Sequence, residues 1–274
     1  RRLRFLIGDV RDKDRLRRAV EGVDIVFHAA ALKQIPSIEY NPFEAVKTNV
    51  YGSQNVIDVC MDEEVEKVIA ISSDKACSPL NTYGATKLLM EKLVVAANFY
   101  KGKRKTVLSC VRYGNVLGSK GSVIPFWKRQ IKDGFITITD QSMTRFNITM
   151  REALEFILLA TSIARGAEVF VPKLKAYTVE DLADAFMEIC GERVEKRVVG
   201  LRAGEKMHES LLNKEEMMNV FETPRFCILM PSSWLMKKFM ISNWYGNLKI
   251  EKTNSSEPYT SETAPKLSKE ELKK

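Results

Sequence analysis

Tyr83 and Lys87 stand four residues apart, just downstream of the polar run Ser72-Ser73-Asp74-Lys75. On a helix, positions i and i+4 share a face. An ammonium held beside a phenol favours the phenolate and lowers its pKa towards the working range of a general base. Tyr83 would then take a proton from a hydroxyl, and Asp74 next to Lys75 supplies an acid and a base side by side. The same residues also have ordinary readings, because Tyr and Lys four apart are common on solvated helix faces and adjacent Asp and Lys are a common loop pair. What raises the chemical reading is that both groups follow a buried strand.

That strand is Val68-Ile69-Ala70-Ile71, a continuous apolar run with β-branched residues, the pattern of a strand covered on both faces. Ser72 to Lys75 fall at its carboxyl end, where open α/β sheets place their ligands. Pro79, Asn81 and Thr82 announce a helix that runs to about Tyr100. Upstream, Phe5-Leu6-Ile7 reads as a strand, 12–20 as a short helix and 23–28 as a buried strand ending in Ala29-Ala30-Ala31. Asn41 caps and Pro42 opens a helix to about Met61. Residues 106–111 form another strand, and this steady alternation predicts an α/β fold with a parallel, doubly wound sheet. Beyond Tyr113 the elements shorten: a helix over 122–132, a strand over 136–139, a helix over 149–164, a strand near Val169-Phe170 and a helix over 178–190. From Asn254 the chain is poor in apolar residues and is expected to be extended or mobile before a helical scrap at 267–274.

The 274 residues, 45% hydrophobic and 28% charged, suffice for one large domain or two unequal ones. A net charge of +8 suits an anionic ligand. Lys and Arg are spread along the chain without interleaved aromatics, which argues against nucleic acid. The five cysteines lack Cys-x-x-Cys spacing and there are two histidines, His28 and His208, so no metal site is expected and reduced thiols in the cytoplasm are the default. Cys77 is expected to be a small filler in the polar loop. The longest apolar stretch, 227–241, is broken by Pro231, two serines and Lys237-Lys238, so no membrane anchor is expected.

Several further words accompany Ser72-Ser-Asp-Lys-Ala and Tyr83-Gly-Ala-Thr-Lys87. They are His28-Ala-Ala-Ala-Leu-Lys-Gln34, Asn41-Pro-Phe-Glu-Ala, Thr48-Asn-Val-Tyr-Gly52, Arg112-Tyr-Gly-Asn-Val116, Met143-Thr-Arg-Phe146 and Arg202-Ala-Gly-Glu-Lys-Met-His-Glu209. In this order they resemble the extended short-chain dehydrogenase/reductases, and within them the inverting UDP-N-acetylglucosamine 4,6-dehydratases. Ala203 stands where that family usually has Pro, which loosens the turn without removing a charge. The resemblance implies a Rossmann-like sheet whose first strand, Gly-rich phosphate turn and second strand would precede Arg1, a truncation on the order of 50 residues. It divides the chain into a partial dinucleotide-binding domain over 1–115, a smaller α/β substrate lobe mixed with late core elements over 116–250, and a tail over 251–274. The glycine cluster Gly114 to Gly121 reads as a loop on the sugar side.

The resemblance implies NADP as cofactor, with NAD not excluded. Asp9, Val10, Ala29, Ala30, Ala31, Lys33, Asn49, Ser72, Tyr83, Lys87, Tyr113 and Val116 would lie against it. Small alanines let backbone approach a dinucleotide, or merely pack tightly. A UDP-sugar would meet Lys33, Lys75, Asn115, Thr137, Arg145, Arg202 and Glu205. Arginine forks suit a diphosphate, although Arg145 reads equally as a structural pin between lobes. The implied catalytic group is Ser73, Asp74, Lys75, Tyr83 and Lys87. Tyr83 deprotonates the sugar 4-hydroxyl, Lys75, held neutral, removes the carbon 5 proton, and Asp74 in its acid form protonates the departing 6-hydroxyl. A UDP-hexose 4-epimerase needs Tyr83 and Lys87 but no eliminating acid–base pair, and a non-catalytic binding protein is a third reading. Relatives form homo-oligomers, so the resemblance implies one here, and the apolar run Phe226–Pro231 with the aromatic run 234–245 reads equally as cover for a partner or for its own lobe.

Overall fold

The computed structural model describes residues 3–118, 122–232, 245 and 248–273. The chain runs through α1 (Lys13–Val20), β1 (Ile25–His28), α2 (Ile35–Tyr40), α3 (Pro42–Ala45), a π-helical turn (Val46–Tyr51) and α4 (Gly52–Asp62). It continues with β2 (Lys67–Ile71), a 3-10 turn (Asp74–Ala76), α5 (Thr82–Tyr100), β3 (Val107–Val111) and β4 (Asn115–Val116). Next come α6 (Val123–Gln130), β5 (Phe135–Ile138), β6 (Thr144–Ile148), α7 (Met150–Ile163), β7 (Val169–Pro172), β8 (Ala176–Thr178) and α8 (Val179–Cys190). The remaining elements are β9 (Glu195–Val198), β10 (Ser210–Leu212), α9 (Lys214–Met217), β11 (Val220–Glu222), β12 (Phe226–Leu229), β13 (Glu251–Lys252), β14 (Tyr259–Thr260) and α10 (Lys269–Leu272).

The seven-stranded sheet has the order β1-β2-β3-β7-β12-β11-β13. β1, β2, β3 and β7 pair in parallel, and β12, β11 and β13 extend the sheet antiparallel. Alternation along β2 shows why its apolar run is continuous. Val68 and Ala70 pack in a core with Val56 of α4 and Val94 of α5, while Ile69 packs in a core on the other face with Phe156 and Ala160 of α7. Both faces are covered, as the sequence pattern predicts. A smaller lobe has its own core, in which Trp127 of α6, Ile136 and Ile138 of β5, and Leu182 and Phe186 of α8 meet.

Helix starts follow local chemistry. Asp12, Asn81, Thr149 and Thr178 each cap through a side-chain oxygen, and Thr149 with Glu152 forms a reciprocal capping box. Asn41 does not cap: its amide donates to the Ser37 carbonyl of α2 at 3.0 Å, because α2 brings its own last turn into reach.

Other expectations are corrected. Residues 23–28 do not form a buried strand, since β1 ends the described sheet and leaves Ile25 and Phe27 exposed. Phe5-Leu6-Ile7 is not a strand, since no described strand pairs with it, and Phe5 and Ile7 are exposed. The tail is packed: Tyr259 donates to the Leu174 carbonyl at 2.7 Å, and Ser261 and Ala264 are buried. Its few apolar side chains join the main core through β14. The late strands also return to the main sheet, so the lobes interleave along the chain. Of the aromatic run 234–245, only Tyr245 lies within the described residues, where its hydroxyl donates to buried Glu168 at 2.5 Å. Residues 119–121 of the glycine cluster also lie outside them. Among the described residues no helix is long and apolar enough to cross a membrane.

Candidate active site

β2 ends at Ile71, and the chain turns at once into the 3-10 turn that carries Asp74 and Lys75. Ser73 Oγ accepts from Lys75 N at 3.2 Å and donates to Asp74 Oδ1 at 2.8 Å. Asp74 N donates to the Tyr113 carbonyl at 3.0 Å, which ties the turn to the chain leaving β3. α5 then presses on the turn through Gly84, where a Cβ would lie 2.2 Å from the Lys75 carbonyl oxygen. That close approach sets Tyr83 beside Ser73, Asp74 and Lys75.

Lys75 Nζ meets three oxygens: Asp74 Oδ1 at 3.1 Å, Asn115 Oδ1 at 3.1 Å and Glu209 Oε1 at 3.4 Å. Its side chain is 22% exposed, whereas Asp74 and Glu209 are 1% and 2% exposed. Burial pushes the Lys75 pKa down, but Asp74 and Glu209 together outweigh it, and the net shift is upward. Lys75 is therefore an ammonium at rest, which corrects the expectation of a neutral amine. The second carboxylate comes from a remote part of the chain. Asp74 Oδ2 and Glu209 Oε2 are buried without a hydrogen-bond partner among the described residues.

The Tyr83–Lys87 expectation is corrected as well. Burial raises the Tyr83 pKa, and the ammonium that acts to lower it is Lys75. Lys87 Nζ instead donates to the Ile71 carbonyl at 2.5 Å and contacts Met90 Sδ at 3.4 Å. Its own pKa falls to about 8 through burial. Cys77 is buried, and burial pushes its thiol to about 12, consistent with a filler.

Asn49 lies in the π-helical turn and is buried. Its Oδ1 accepts from Leu32 N at 2.8 Å, and its Nδ2 donates to the Leu32 carbonyl at 2.9 Å and to Thr86 Oγ1 at 3.0 Å. It thereby braces the loop after β1 against α5. Val10, Ala29 and Ala30 line one cavity of about 160 Å³ with Val26 and Phe27. Ala31 and Lys33 continue that loop, and Lys33 is exposed. Asp9 is engaged by Arg11 at 2.7 Å. Ser72 is buried, its hydroxyl without a hydrogen-bond partner among the described residues, and Val116 forms β4 beside Asn115.

Arg145 sits 3.9 Å from Glu209 Oε1 and donates to the carbonyls of Thr144 and Met207 at 2.8 and 3.2 Å, so it both pins backbone and faces the charge cluster. Thr137 is committed within the lobe, its hydroxyl bonding Gln130 Oε1 at 3.2 Å. Arg202 is exposed in a turn in which Glu205 N donates to the Arg202 carbonyl at 3.0 Å. That turn docks on the start of α5, because Asn81 Nδ2 donates to the Gly204 carbonyl at 2.8 Å and Lys206 Nζ to the Cys77 carbonyl at 2.6 Å.

Sequence reasoning missed Glu209 and Tyr177. Glu209 ends the Arg202–Glu209 word, which was its only signal. Tyr177 is buried beside the cluster and has its pKa raised to about 12 by burial. It also missed the buried Arg112, whose guanidinium joins Glu91 Oε2 at 2.6 Å and Glu216 Oε1 at 2.8 Å.

Residues 1–231 match the family described as polysaccharide biosynthesis protein. An uncharacterized membrane protein of Methanocaldococcus jannaschii is 51% identical over 238 residues, 84% of this chain and 72% of that protein. The inverting UDP-N-acetylglucosamine 4,6-dehydratase of Campylobacter jejuni is 45% identical over 232 residues, 84% of this chain and 68% of that one. A UDP-glucose 4-epimerase of Rickettsia felis is 48% identical over 217 residues, 79% of this chain and 64% of that one. The X-ray structure of Pen from Bacillus thuringiensis superposes with a TM-score of 0.88 at 41% identity, covering 100% of this chain and 80% of that one.

Proposed function

The chain belongs to the polysaccharide biosynthesis protein family of extended short-chain dehydrogenase/reductases, and from that premise we propose that it dehydrates UDP-N-acetylglucosamine to a UDP-4-keto-6-deoxy-N-acetylhexosamine with inversion at carbon 5. The observation that carries this reading is the Asp74–Lys75 contact of 3.1 Å beside Tyr83, which sets an acid and a base next to each other.

One feature of the chain fits a nicotinamide dinucleotide: the buried Ser72 hydroxyl at the carboxyl end of β2, which has no hydrogen-bond partner among the described residues. When bound, that cofactor supplies the hydride acceptor and donor; we take NADP as the form, as the family resemblance implies. In its phenolate form, which the Lys75 charge favours against burial, Tyr83 takes the proton of the sugar 4-hydroxyl. The ketone at carbon 4 acidifies carbon 5. A proton shift from Lys75 Nζ to Asp74 breaks one N–H bond, forms one O–H bond and leaves the net charge unchanged. It turns the resting ion pair into the neutral amine and carboxylic acid that elimination needs. Lys75 then takes the carbon 5 proton, and Asp74 gives its proton to the departing 6-hydroxyl, which leaves as water; the hydride taken from carbon 4 would return to carbon 6, and a proton would reach carbon 5 on the opposite face to give the inverted centre. Arg145 and Arg202 are the proposed diphosphate contacts.

Lys75→Ala should abolish exchange of the carbon 5 hydrogen with solvent deuterium, and unchanged exchange would remove Lys75 from this role. The similarity to UDP-glucose 4-epimerases supports a second reading, epimerisation at carbon 4, in which Tyr83 acts without the Asp74–Lys75 pair.

A further inference from the structure

We propose that Glu209 is a positioning residue for Lys75: its Oε1 holds the ammonium in place, and its charge sets how readily that nitrogen gives up its proton. The role of Lys75 as base rests on the dehydratase reading, whereas the effect of Glu209 on Lys75 does not.

The geometry assigns Glu209 to this task. One oxygen, Oε1, lies 3.4 Å from Lys75 Nζ and 3.9 Å from Arg145 Nε, so the carboxylate is shared by the proposed base and a proposed substrate arginine. The backbone of Glu209 is clamped on both sides by the tail. Its N–H donates to Ser261 Oγ at 2.9 Å, and its carbonyl accepts from Ser261 N at 2.8 Å. Ser261 Oγ in turn meets Thr144 Oγ1 at 2.7 Å, next to Arg145. A buried carboxylate in so fixed a frame cannot follow solvent, and its charge acts on Lys75 at low local dielectric.

The groups facing Lys75 are Asp74 on its own turn, Glu209 before β10, Arg145 on β6, Asn115 on β4, Tyr83 on α5 and Tyr177 on β8. Asp74 is bound to the reaction as the proposed acid. Glu209 is the remaining carboxylate, and it opposes Arg145. Removing its charge should make Lys75 more acidic, whereas removing Arg145 should make it less so.

The test reads Lys75 without substrate, by competitive acetylation at fixed pH followed by mass spectrometry, with exposed Lys103 as internal reference. Acetylation follows the neutral fraction of an amine, and well below the pKa that fraction rises about tenfold when the pKa falls by one. Glu209→Gln should raise Lys75 labelling relative to Lys103 by about tenfold, Glu209→Asp should return it close to wild type, and Arg145→Gln should lower it. Labelling unchanged in Glu209→Gln overturns the proposal. If that variant does not fold, unchanged labelling in Arg145→Gln overturns it instead.

With UDP-N-acetylglucosamine, Glu209→Gln should also raise the rate of carbon 5 exchange at fixed pH, because a more acidic Lys75 passes its proton to Asp74 more readily. A merely structural residue would depress that rate, which would count against Glu209. Absence of exchange in the wild-type protein would defeat the dehydratase reading alone, because the labelling result stands without it.

Discussion

Lys87 Nζ donates to the Ile71 carbonyl at 2.5 Å, with its charge buried where β2 meets α5. Burial lowers its pKa from 10.5 to about 8. Between those values the unfolded chain holds a proton that the folded chain has released, so stability rises with pH across that window. The charged form costs the fold up to about 3 kcal/mol at neutral pH. Lys87→Met removes this dependence. Urea unfolding should show the variant losing ground to wild type as pH rises from 8 to above 10, and a difference constant with pH would contradict the assignment.

Gly84 is where α5 touches the Lys75 carbonyl, and an added methyl would have to displace backbone. Gly84→Ala should lower stability by about 1–3 kcal/mol and kcat by about 100-fold through the shifted Tyr83. Wild-type kcat in a folded variant would show that this approach does not set the site.

Arg112 ties α5 to α9 through Glu91 and Glu216, and it also donates to the Leu211 carbonyl at 2.8 Å. Removing the guanidinium leaves two carboxylates in or near the core without their cation. Arg112→Met should cost about 3–5 kcal/mol in denaturant unfolding. A loss below about 1 kcal/mol would mean that Glu91 and Glu216 find other partners.

Arg202 is exposed, in a turn held against Asn81 by Gly204. Arg202→Ala should leave the unfolding free energy within about 0.5 kcal/mol of wild type and weaken binding of the UDP-sugar. Calorimetry giving unchanged affinity would remove Arg202 from the diphosphate site.

The strand–loop–helix unit at the centre of the chain was legible because each local signal agreed. β2 is apolar on both faces, its polar loop follows directly, and Asn81 caps α5 by accepting from Gly84 N at 2.8 Å. The start of α7 at 149 was legible too, where Thr149 and Glu152 form the capping box. What escaped is non-local. Glu209, which lies 3.4 Å from Lys75 Nζ, comes from a remote part of the chain, and no spacing within residues 72–87 encodes that contact. Asn49 owes its burial to a π-helical turn with no distinct composition. The tail looked polar enough to be mobile, yet Tyr259 and Ser261 secure it to Leu174, Thr144 and Glu209. Helical spacing put Tyr83 and Lys87 on one face, but Lys87 turns to a backbone carbonyl instead.

Whether Asp74 and Lys75 make this chain a dehydratase is tested by incubating the protein with UDP-N-acetylglucosamine and NADP, then with NAD, and following the nucleotide sugar by mass spectrometry and NMR. The expected product is a UDP-4-keto-6-deoxy sugar lighter by one water, inverted at carbon 5, and absent in Lys75→Ala. An isomer of unchanged mass, formed as well by Lys75→Ala as by wild type, would contradict the dehydratase and establish the epimerase in its place.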